Sequence, residues 1–66
     1  MTREEIYYEE VKKDLMYKGI KENYAKEMMN NYHLKERLSD DYLFMAHYDP
    51  RDIADEIINR EAKVYA

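Results

Sequence analysis

Sixty-six residues make one small domain, 1–66, and bury too little surface to enclose a large catalytic cleft. With no cysteine, a disulfide framework and a thiolate metal site are both excluded, and fifteen acids against eleven Lys and Arg give a net charge of −4 that disfavours binding to a phosphate backbone. No apolar run approaches the ~18 residues that span a bilayer and no signal-peptide pattern opens the chain, so a soluble, cytoplasmic protein is expected.

The first predicted helix runs from Thr2 to Lys18. Thr2 with Glu5 three residues on is a capping box, and Glu4 and Glu5 oppose the positive end of the helix dipole. Its inner face takes Ile6 or Tyr7, then Tyr8, Val11, Leu15 and Met16, while Glu9, Glu10, Lys12, Lys13 and Asp14 fall outside. Gly19 is the only glycine. It stands where a left-handed residue ends a helix, with Ile20 packing back in a Schellman arrangement.

A second helix starts near Lys21 or Glu22 with a poor cap and carries Tyr24, Ala25, Met28, Met29 and Tyr32 on one face. Asn30 and Asn31 weaken it, yet Leu34 and Leu38 continue the spacing to about Arg37, so the sequence leaves open whether residues 21–37 form one helix. Ser39, Asp40 and Asp41 offer a fresh cap, and a short helix is expected over Asp40–His47 with Leu43, Phe44 and Ala46. The chain turns at Tyr48 and Asp49, because the residue before Pro50 is pushed out of the helical region. The most explicit helix follows: Asp49 caps, Pro50 takes the first position, and Asp52 falls where a carboxylate reaches free amides. Ile53, Ala54, Ile57, Ile58, Glu61 and Val64 or Tyr65 then form its inner stripe.

Short connections and the absence of strand-like alternation predict an all-α fold, a compact bundle of three longer helices and one short one. Its expected core is Val11, Leu15, Ile20, Ala25, Met28, Met29, Leu38, Leu43, Ile53, Ile57 and Ile58.

Chemistry-bearing patterns are missing. His33 and His47 lack a ligand spacing, and carboxylate pairs such as Glu4 and Glu9 or Asp52 and Glu56 read as a solvated face. One glycine cannot make a phosphate loop, and the two hydroxyl residues Thr2 and Ser39 both read as caps. No catalytic, cofactor-binding or metal residue is expected, and the chain is read as a non-enzyme.

The tyrosines carry the functional reading. Eight of them exceed what so small a core accepts, since each buried hydroxyl needs a partner. Tyr7, Tyr17 and Tyr24 near the first turn, and Tyr42 and Tyr48 near the second, are the sets expected outside, where tyrosine gives large contact area at little entropic cost. With Asp40 and Asp41 they form the expected partner-binding residues of a small acidic interaction module, self-associating as a homodimer or docking on a larger protein. An acidic surface of this kind suits an inhibitor or adaptor occupying a basic face that otherwise holds nucleic acid, similar in character to small phage and mobile-element proteins.

Two stretches resemble known families. LMYKGIKENYAKEMM resembles the first turn of ubiquitin-associated domains, through Leu15, Gly19, Ile20, Ala25, Met28 and Met29, which implies a binding edge at Gly19 and Ile20. DIADEIINREAKVY is similar to a helix-turn-helix segment, with Ile53, Ala54, Ile57 and Val64 in the buried places and the turn at Ile58. That resemblance implies a transcriptional regulator using Arg51, Arg60 and Lys63 on DNA, against which the unbroken spacing from Asp49 to Tyr65 favours one continuous helix.

Overall fold

Thr2 begins the first helix as its residue type requires. In the computed structural model, which describes the backbone of residues 1–65 and the side chains of residues 1–61, its hydroxyl oxygen accepts from the amide of Glu5 at 3.1 Å. The hydroxyl proton goes to the Glu5 carboxylate at 3.1 Å, a variant of the capping box in which both limbs use the threonine side chain. Helix α1, Arg3–Tyr17, ends at Gly19, whose φ of 98° is open to glycine alone at little cost. There the amide of Ile20 donates to the carbonyl of Leu15 at 3.1 Å and that of Gly19 to Met16 at 3.0 Å, the paired bonds of a Schellman end.

Helix α2, Glu22–Asn31, starts at Lys21 without a side-chain cap. It does not run on. His33 takes a left-handed conformation, φ 61°, and a separate helix α3 follows over Leu34–Asp40. Arg37 holds this break: its Nε donates to the carbonyl of Tyr32 at 3.0 Å while its guanidinium lies 4.3 Å from the centre of the Tyr32 ring. Asp41 then caps α4, Tyr42–Ala46, by accepting from the amide of Phe44.

Asp49 opens α5, Pro50–Tyr65, accepting from the amide of Arg51 at 2.9 Å and from the Arg51 guanidinium. Asp52 sits in that first turn as expected, but among the described residues its carboxylate accepts no amide, and the Arg51 amide is held by Asp49. The helix passes through Ile58 without interruption, so the turn implied by the helix-turn-helix resemblance is not there. Val64 and Tyr65, expected on the inner stripe, have side chains outside the described residues, as has Lys63.

The described residues are therefore all-α, with no strand, and hold five helices where three longer and one short were expected. The difference is the break at His33. A radius of gyration of 11.2 Å matches the roughly 11 Å of a compact chain this long. Helix α5 packs chiefly on α1, its start near Tyr7 and its Asp55 beside Lys18, which also pairs with Asp14 and so ties the two helices. Between them and α2 and α3 lie Val11, Leu15, Ala25, Met29, Leu34, Leu38, Ile53, Ala54 and Ile57, all buried. Ile20, Met28 and Ile58 close the edges half-buried.

Two expectations about the core fail. Leu43 is 71 % exposed, and Met45 fills the inner place on α4 instead. Five residues make little more than one turn, too short for periodicity to set which side faces in. Likewise Met16, a candidate for the inner face of α1, is exposed, whereas the alternative of Ile6 or Tyr7 falls to Tyr7, which is buried.

Candidate interaction surface

Tyr7 sits under the corner where α4 meets α5. It was expected both as an alternative to Ile6 on the inner face of α1 and as a partner-binding residue at the surface; the first holds, since it is buried and its hydroxyl faces the carbonyls of Tyr48 at 2.8 Å and Met45 at 3.1 Å. Those carbonyls lie where the chain leaves α4; that of Met45 also accepts from the amide of Tyr48 at 3.1 Å, and the Tyr7 hydroxyl adds a donor from the other end of the chain. Burial pushes the phenol up to about 12, with the carboxylate of Asp49 adding to it. Tyr7 is thus removed from the binding residues and becomes what fixes the corner in place.

Outward from that pin stand Leu43, Phe44 and Tyr48, all exposed. Phe44 and Tyr48 meet edge to face, ring centres 5.7 Å apart and planes at 69°. Tyr42, half-buried, lies under the guanidinium of Arg3 at 4.3 Å. Asp40 and Asp41 stand exposed at the junction of α3 and α4, and Asp41 is occupied as the α4 cap. Asp49 lies on the other side of the corner, its carboxyl held below the usual range by the Arg51 side chain and then by the Arg51 amide.

The expected residues are therefore only partly brought together. Tyr42, Tyr48, Asp40 and Asp41 share the corner. Tyr17, 89 % exposed, lines an adjoining hollow with Glu10, Asp49, Pro50 and Arg51, so it borders the same region. Tyr24 belongs elsewhere, to an open groove of about 670 Å³ floored by Ile20, Met28 and Ile58, with Gly19 at one end. Leu43 and Phe44 are the surface residues that sequence reasoning missed, because it placed Leu43 in the core. The usable signal was the run of four apolar residues Leu43–Ala46, more than a single inward position on so short a helix can absorb.

A further hollow near the start of α1 is lined by Glu4, Glu5 and Glu9 with Tyr8, Lys35 and Leu38. It already holds a cation of the chain's own, the Lys35 ammonium 5.2 Å from the centre of the Tyr8 ring. His33 and His47 are both exposed, and among the described residues no three metal-ligating side chains stand close enough to hold an ion. No helix among the described residues is long and apolar enough to cross a membrane.

Comparison of the chain with family models, with curated proteins and with solved structures finds no match. The surface alone carries the functional argument that follows.

Proposed function

We propose that this chain is a non-enzymatic, acidic protein-interaction module, acting in the cytoplasm as an inhibitor or adaptor on a basic surface of a larger protein. One observation carries the reading: Leu43, Phe44 and Tyr48 stay together outside the core of a small protein of net charge −4. Isolated exposed apolar side chains are ordinary, but a group of them on one corner loses contact energy unless something covers it. Carboxylates around such a group favour a positive partner face, including one shaped for phosphates.

The test is co-purification of the tagged chain from the cells that make it, washed at low and at high salt, alongside its mass in solution. A larger protein retained at low salt and lost at high salt is the expected result. A monomer at high concentration that retains no partner removes the reading. A DNA-binding regulator using Arg51, Arg60 and Lys63 is the competing reading, and it requires retardation of duplex DNA that weakens steeply with added salt.

A further inference from the structure

The net charge is not spread evenly. From Asp40 to Asp52, the last residue of α3 to the first turn of α5, four acids (Asp40, Asp41, Asp49, Asp52) stand against one base, Arg51. That segment thus holds −3 of the chain's −4, and it is the segment that carries Leu43, Phe44 and Tyr48. Of the cations near it, Arg51 pairs with Asp49, Arg3 with Glu4 and Lys13 with Glu10, while Arg37 is turned to the carbonyl and ring of Tyr32. Capping accounts for Asp41 and Asp49, and the positive end of α5 accounts for Asp52. Asp40 has no such account. It is the last residue of α3, where the helix dipole disfavours a carboxylate, and it makes no ion pair among the described residues.

We infer that the α3–α4–α5 corner is the docking face, and that its occupant is an apolar cleft ringed by lysine or arginine on another protein. This rests on the interaction reading above and names the face and the partner chemistry it takes. The shape supports a cleft. A single turn of helix at a corner is convex, and a protruding Leu43 and Phe44 are seated best in a concave apolar floor. Charge selects against a second copy. A two-fold dimer sets the same patch against itself, and here it would oppose two segments of −3 with no free cation between them.

The defined probe is an amphipathic helical peptide of leucine and lysine, which offers an apolar floor with a basic rim. A matched leucine and glutamate peptide and polylysine serve as controls. Backbone amide shifts of the labelled protein locate binding. The leucine and lysine peptide is expected to move the amides of residues 41–49 and to bind more weakly as salt rises. The Phe44→Ser variant should bind about tenfold more weakly or worse, and Asp40→Asn several-fold, with both spectra otherwise unchanged. The glutamate peptide should leave the corner unmoved.

The assignment is overturned if the peptide fails to bind, if it moves the Ile20 and Met28 groove instead, or if polylysine moves the corner as strongly. It is also overturned if the corner amides shift with the protein's own concentration, the mark of a second copy. None of these results touches the broader interaction reading, which stands or falls on co-purification.

Discussion

A phenol has one proton, and Tyr7 offers it to two carbonyls, those of Tyr48 and Met45. Replacing Tyr7 by Phe keeps the ring and removes the donor, so urea unfolding should show a loss of about 1–2 kcal/mol. The pH dependence follows from the same contact. The folded phenol titrates at about 12 against 10.0 in the unfolded chain, so its contribution is whole below pH 10 and disappears as pH rises through the folded value. Tyr32 is raised as well, by burial and then by Glu56, and therefore contributes to the alkaline loss in the same direction. Between pH 10 and 12 the Tyr7→Phe variant should accordingly lose stability less steeply than the parent, without becoming flat. Parallel alkaline unfolding curves would disprove the buried role. The role was not legible in the sequence, because the carbonyls that satisfy this hydroxyl lie 38 and 41 residues away. An aromatic with a polar tip reads equally well as surface or core until its partner is known.

Elements were far more legible than single side chains, since a cap needs only its neighbours. Thr2, Gly19, Asp41 and the Asp49–Pro50 pair each mark a helix end found in the fold. The break after α2 escaped because the left-handed place fell to His33, while Asn30 and Asn31, better suited to it by type, stayed in the helix. What decides the position is Arg37, reaching back to the Tyr32 carbonyl, and Leu34 and Leu38 turning inward afterwards. The two left-handed residues make opposite predictions. At Gly19 an added Cβ meets nothing within 4 Å, so Gly19→Ala should cost roughly 1 kcal/mol from backbone strain alone. At exposed His33, Gly should relieve that strain and raise stability by about 0.5 kcal/mol, part of the gain being offset by the freer unfolded chain. Thermal melting of the two variants checks both signs. A destabilised His33→Gly protein would mean that the imidazole, and not the backbone, holds the break.

At the scale of the whole molecule, stability and recognition occupy different residues. The core is short of material: a chain this size rarely holds more than ~3–5 kcal/mol, and Leu15, fully buried between helices, carries a large share. Leu15→Ala should remove about 3 kcal/mol and leave the chain largely unfolded by circular dichroism. Phe44→Ser, at a site 56 % exposed, should change the melting midpoint very little. Asp40→Asn separates the two demands most sharply. It removes a carboxylate from the negative end of α3 and lowers the charge of an acidic corner, so it should stabilise the fold by about 0.3 kcal/mol. The same change withdraws one of the carboxylates that face a basic rim, and binding of the leucine and lysine peptide should weaken several-fold. A more stable protein that binds less well is what a residue kept for contact produces. If Asp40→Asn instead lowers the melting midpoint, the carboxylate serves the fold, and the charge of this corner needs no partner to explain it.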